Sequence, residues 1–201
     1  MTRPRIAEPG SALELHLDPA IVADDAAFAA LCRANGDLRL ERTAQGAIVV
    51  MAPAGGASGR RNAAITAQLF LWSRADGTGT SYDSSAGFRL PNSAIRAPDA
   101  AWVATARLAA LPPGAEEGYV PLCPDFVVEL RSPSDRIVDV RTKMREYMAN
   151  GARLGWLIDP AERTVEAYRP GRVVERMRGI DALAGDPELR GFVLRLEDVW
   201  R

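Results

Sequence analysis

The run Cys123-Pro124-Asp125-Phe126-Val127-Val128-Glu129-Leu130-Arg131-Ser132-Pro133-Ser134-Asp135 constrains this chain more than any other. Phe126 to Arg131 reads as a short apolar strand that ends in charge. Glu129 follows three apolar residues, at a place where a buried strand favours another aliphatic side chain. An unpaired carboxylate there costs several kcal/mol, so it must meet a cation, a metal or the sheet edge. A strand has a period of two, which puts Asp125, Val127, Glu129 and Arg131 on one face and Phe126, Val128 and Leu130 on the other. The simplest structural partner for Glu129 is an arginine.

The surroundings read as a mixed α/β unit. A helix from about Arg136 to Asn150 is stopped by Gly151, and carries Ile137, Val140, Met144, Tyr147 and Met148 at helical spacing. Leu154 to Ile158 reads as a buried strand, Asp159-Pro160 as a turn, and Val165–Tyr168 with Val173–Met177 as a hairpin around Pro170-Gly171. Upstream, a helix capped by Asp24 or Asp25 runs to Asn35-Gly36, and Leu38–Arg42 with Ala47–Met51 form a hairpin. A second helix spans about Arg60 to Ser73, and strands cover Thr80–Leu90 and Ala97–Val103. Pro53 to Ser58-Gly59 is glycine-rich, but lacks the endings of phosphate-binding loops and reads as a connector. With 201 residues, 47% hydrophobic and 25% charged, one domain over 23–201 is expected behind an N-terminal arm, 1–22.

The charge balance narrows the function. A net charge of −1 supplies no uniform field for coating nucleic acid. Among 25 cations, Lys143 is the single lysine, and a planar guanidinium cannot replace a compact ammonium where chemistry requires one. Cys32 and Cys123 form no metal-binding motif, and His16 is the one histidine and reads as a surface residue, so no zinc site is expected. Two isolated cysteines and the absence of a long apolar run point to a cytoplasmic chain with no membrane span.

A second acid, Asp99, follows Pro98 at the start of the strand Ala100 to Val103. Strands carrying Asp99 and Glu129 can lie side by side, bringing two carboxylates to one strand end, where a hard divalent cation is bound well. Lys143 borders the inward face of its helix and can reach the same point.

Pro98-Asp99 followed by Glu129 resembles the PD-(D/E)xK phosphodiesterase core. A longer resemblance is more specific. GAIVVMAPAGG (46–56), YDSSAGFRLP (82–91), APDAAWV (97–103), CPDFVVELRSPSD (123–135), KMREYMANGARLGWLIDP (143–160) and YRPG (168–171) closely resemble the Uma-type restriction endonuclease family, over about residues 28 to 200. The resemblance implies an α/β, restriction endonuclease-like core: a mixed central sheet flanked by helices, with additional hairpins. It also implies Mg²⁺ or Mn²⁺ held by Asp99, Glu129 and the Leu130 carbonyl, with Lys143 and Glu41 as further catalytic residues. The slot two residues after Glu129 holds Arg131, so the lysine comes from the following helix as Lys143. Glu41 has a structural alternative in pairing with Arg39 or Arg42.

Residues 131–145 carry five cations against Asp135 and Asp139, and Arg131, Arg136, Arg141 and Arg145 are the expected nucleic-acid contacts, with a solvated helix face as the alternative. Gln45 and Asp83 are further polar candidates near strand ends. Asp135 reads as a helix cap, and Ser132 or Ser134 is a further candidate for supporting the site. DNA ranks ahead of RNA as the partner, and the resemblance to restriction enzymes implies a homodimer. Two other functions remain open: a silent nuclease fold that binds or regulates, and a partner surface built on Trp72, Trp102, Trp156 and Trp200. Trp102 and Trp156 read as core.

Overall fold

The computed structural model describes residues 13–15, 24–51 and 55–201. In chain order the elements are β1 (Leu13–Leu15), α1 (Asp25–Ala34), β2 (Arg39–Arg42), β3 (Ile48–Met51), α2 (Gly56–Asp76), β4 (Gly79–Asp83), β5 (Phe88–Arg89), β6 (Ile95–Arg96) and β7 (Ala100–Ala104). They continue with α3 (Thr105–Leu108), β8 (Phe126–Leu130), α4 (Ile137–Ala149), β9 (Leu154–Asp159), β10 (Thr164–Tyr168), β11 (Glu175–Arg178), β12 (Ala182–Ala184), β13 (Val193–Arg195) and α5 (Glu197–Trp200). Of the expected arm, 1–22, β1 pairs with β3. The rest of the arm, His16 included, lies outside the described residues, as do Ala52, Pro53 and Ala54.

A six-stranded mixed sheet, ordered β11-β10-β9-β8-β7-β4, forms the centre. β8 and β9 are parallel, as a strand–helix–strand crossover through α4 requires, and the other neighbours are antiparallel. The alternation expected for Phe126 to Leu130 holds. Phe126, Val128 and Leu130 join Trp156 and Ile158 against α2, whereas Val127 joins Leu157, Met144 and Tyr147 against α4. Both faces are therefore covered, and β8 and β9 are buried throughout. The α2 face is completed by Leu183, Leu189, Phe192, Leu194, Leu196 and Val199. Phe126 meets Trp156 edge to face at 4.8 Å, and Phe192 stacks on Trp156 at 5.7 Å. Trp102 and Trp156 are core, and Trp72 and Trp200 pack against the same cluster. None of the four tryptophans is left as an exposed partner surface.

A second sheet, ordered β1-β3-β2-β6-β5, packs Ile48 and Ile95 against Phe28 of α1. Asp24 caps α1, its carboxylate accepting the Ala27 N–H at 2.7 Å, and the β2–β3 hairpin forms where the sequence places it.

Three boundaries differ from expectation. The glycine-rich residues from Gly56 onward belong to α2, because Arg60 and Arg61 donate to the Asp198 and Val199 carbonyls and dock that first turn on the C-terminal segment. The helix runs past Ser73 to the true stop, Gly77, which takes φ 72°. The expected strand Thr80–Leu90 breaks after Asp83, whose Oδ1 accepts the Ser85 N–H and hydroxyl at 2.9 and 2.6 Å and turns the chain into the second sheet. Beyond Met177 the sequence suggested no elements, but β12, β13 and α5 lie there. Among the described residues, no helix is long and apolar enough to cross a membrane.

Candidate active site

The two sheets meet where β6 runs through Ala97 and Pro98 into β7, and this junction assembles the acids. Pro98 has no N–H to give a ladder, and β7 starts only at Ala100. Asp99 takes over at the strand end: its Oδ2 accepts the Leu130 N–H at 2.8 Å and its Oδ1 accepts Asn62 Nδ2, from α2, at 3.1 Å. Burial pushes the Asp99 carboxyl up, and the Leu130 N–H and Lys143 offset part of that.

Glu41 comes from β2 in the other sheet. Its Oε1 accepts the Ala97 N–H at 2.9 Å and its Oε2 pairs with Arg96 Nη1 at 3.1 Å. The expected pairing with Arg39 or Arg42 is replaced by Arg96 and Lys143, since Glu41 is 2% exposed and turned into the junction. Lys143, on α4, places Nζ 2.7 Å from Glu41 Oε1 and 2.9 Å from Glu129 Oε1. One helical turn on, Tyr147 donates its hydroxyl to the same Glu129 oxygen at 2.9 Å. The partner of Glu129 is thus the one lysine, where an arginine was the simplest expectation.

The protonation states follow from these contacts. Burial raises the Glu129 carboxyl to about 7; Lys143 opposes the rise, while Asp99 and Glu41 add to it. Burial acts to raise Glu41 as well, but Lys143 and Arg96 outweigh it and the group lies below the usual carboxylate range. Lys143 is raised: burial favours the neutral amine, yet Glu129 and Glu41 prevail, so it is an ammonium. Arg96 also pairs with Glu146 at 2.6 Å. Among the described residues the junction therefore holds four carboxylates, Glu41, Asp99, Glu129 and Glu146, with Arg96 and Lys143 in direct ion pairs and Arg39 acting on Asp99.

Among the described residues, no three Asp, Glu, His or Cys side chains gather around one ion position. The available donors are Asp99, Glu129 and the Leu130 carbonyl, and Glu129 Oε2 has no hydrogen-bond partner among the described residues. Two carboxylates in a pocket where acids outnumber cations fit an ion such as Mg²⁺, which keeps several waters and binds through one or two carboxylates plus substrate phosphates.

The other candidates fall outside this cluster. Arg131 pairs with Asp159 at 2.6 Å, Arg141 binds Glu166, and Arg136 and Arg145 are exposed. Gln45 is exposed in the β2–β3 turn, and Asp83 serves its own turn with Ser85. Asp135 does not cap α4. Its carboxylate accepts the Ser132 N–H at 2.7 Å, and Arg136 is the cap residue. Sequence reasoning missed Asn62, Arg96, Glu146 and Tyr147. Tyr147 was legible as the residue one turn from Lys143, but Asn62, 37 residues from Asp99 on another helix, carried no signal.

No curated protein matches the chain. A solved structure described as "a putative nuclease belonging to DUF820", from Anabaena variabilis, shares the fold at a TM-score of 0.67 and 21% identity, covering 80% of this chain and 89% of that one. Residues 25–197 match the Uma2 family, described as "Putative restriction endonuclease", and with most of its length inside that match the chain belongs to the Uma2 family.

Proposed function

We propose that this protein is a metal-dependent endonuclease that hydrolyses phosphodiester bonds in DNA. The observation that carries this reading is Lys143 held as an ammonium between two buried carboxylates, Glu41 and Glu129, beside Asp99 at one strand end. Asp99 and Glu129, with the Leu130 carbonyl, would hold Mg²⁺ or Mn²⁺. Such an ion neutralises charge on the phosphate and makes a bound water more acidic.

The protein groups do the positioning. Leu130 N–H and Asn62 fix Asp99, and Tyr147 fixes Glu129 through Oε1. Lys143 is too firmly protonated to act as a base, so its role is to orient a water or to face the scissile phosphate as a cation. Glu41 and Arg96 hold that ammonium in place. The free thiols Cys32 and Cys123 support a cytoplasmic setting, and a homodimer with one site per DNA strand belongs to the same proposal, checked by sedimentation.

One feature favours the silent-module reading: Lys143 is already satisfied by two carboxylates. Supercoiled plasmid and single-stranded DNA, incubated with Mg²⁺ or Mn²⁺, decide between them. Wild-type cleavage that is lost in Glu129→Gln and abolished by chelation supports the nuclease. Equal inertness of both proteins, with no Mn²⁺ binding by calorimetry, overturns it.

A further inference from the structure

A second charged site lies on the other flank of α4. Pairing registers place Glu129 beside Leu157, Leu157 beside Glu166, and Glu166 beside Arg176, so one row crosses β8, β9, β10 and β11 on the α4 face. At the far end of the row is a pocket of ≈ 330 Å³ lined by Arg131, Arg141, Arg176 and Arg178 together with Asp159, Glu162 and Glu166. Glu166 is 4% exposed and acts as a template. It accepts Arg141 Nε at 3.0 Å and Arg176 Nε at 3.1 Å, and Tyr168 donates to it at 2.8 Å.

These acids do not exhaust the arginines. Arg131 spends Nε on the Asp135 carbonyl and Nη1 on Asp159; Arg141 and Arg176 each spend Nε and Nη2 on Glu166; Arg178 reaches Glu162 through Nη2. Among the described residues, Arg131 Nη2 and the Nη1 atoms of Arg141, Arg176 and Arg178 have no acceptor. Four guanidiniums against three carboxylates leave a surplus positive charge, with donors suited to phosphate oxygens.

We propose that this pocket holds the DNA phosphate backbone a fixed distance from the bond being cut, so that Arg176 and Arg178 of the β10–β11 hairpin complete a track begun by Arg131 and Arg141. The inference rests on the nuclease reading for the position of the cut. Three strand spacings separate Glu129 from Arg176, roughly 14 Å. At 3.4 Å of rise per nucleotide that is about four nucleotides along one strand. Arg136 and Arg145, exposed and outside the pocket lining, are not part of the track.

The test is binding of a fluorescein-labelled 30-base-pair duplex, in Ca²⁺, over a series of salt concentrations, by wild type, Arg178→Ala, Arg176→Ala/Arg178→Ala and Glu129→Gln. The double variant is expected to bind about tenfold more weakly with any duplex sequence, and its log–log salt slope to fall by about 2, the single variant by about 1. The Arg178 side chain is highly exposed and, among the described residues, bonds only the exposed Glu162, so the single variant keeps the proposal testable if the double one loses thermal stability. Wild-type affinity and slope in both variants overturn the pocket, as does a wild type that binds no duplex. A wild type that binds with this arginine dependence but never cuts leaves the pocket standing and removes the nuclease reading.

Discussion

Glu41 and Lys143, 102 residues apart in the chain, meet at 2.7 Å across the junction of the two sheets. This contact ties β2 of one sheet to the helix covering the other. Glu129 completes it from below, so a single ammonium bridges two buried acids, and Arg96 shares the charge of Glu41.

Replacing Lys143 with Met leaves Glu129 with the Tyr147 hydroxyl and without its cation, whereas Glu41 keeps Arg96 and the Ala97 N–H. Removing one partner of a buried ion pair costs about 3–5 kcal/mol, far more than the pair contributes relative to an apolar substitute. Urea unfolding of Lys143→Met in chelator is expected to show a loss in that range, and adding Glu129→Gln to the same chain should recover part of it. A loss below about 1 kcal/mol would mean that the acids find solvent.

Asn62, on α2, sets the direction of Asp99 by donating to its Oδ1 at 3.1 Å. Outer partners of metal ligands are worth about 10–100-fold in metal affinity or activity. Asn62→Ala is expected to raise the Mg²⁺ concentration for half-maximal cleavage about tenfold with an unchanged melting temperature; an unchanged metal requirement contradicts this role.

Glu166 is held at about 2: burial opposes ionisation, and the bonds from Arg141, Tyr168 and Arg176 overcome it. A carboxyl depressed in the folded state contributes stability above its unfolded pKa, which is lost as pH falls from there toward the folded value. Stability should therefore decline between about pH 4.5 and 2 through this group, and Glu166→Gln should flatten that part of the profile. Denaturant midpoints across the window give the comparison.

Gly79 is a packing requirement of the α2 face. A Cβ there would lie 2.2 Å from the Trp102 ring and 2.4 Å from the Val103 carbonyl oxygen. Trp102 cannot swing away cheaply, because its Nε1 donates to Ser73 Oγ, which in turn donates to the Gly79 carbonyl. Gly79→Ala is expected to destabilise by about 1–3 kcal/mol, as read by chemical unfolding.

What the sequence made legible was local or compositional. Strand alternation around Glu129 announced two covered faces, and the solitary lysine announced a site that arginine could not serve. Asp99 was visible because it follows Pro98 at the start of the strand Ala100 to Val103. Arg96 and Asn62 were hidden because their roles depend on how two sheets and a distant helix meet, and no periodicity records that. The C-terminal elements were hidden for a different reason: β12 and β13 are three residues each, too short for alternation to register.

Those late elements impose an order on synthesis. Glu41, Asp99, Glu129 and Lys143 have all been made when the ribosome passes residue 143, yet the α2 face of the central sheet still lacks Leu194, Leu196 and Val199, and α2 still lacks the Asp198 and Val199 carbonyls that dock Arg60 and Arg61. A nascent chain at that point therefore carries Glu41, Asp99, Glu129 and Lys143 on a sheet whose α2 face is still open, and that face closes only once β13 and α5 have been made.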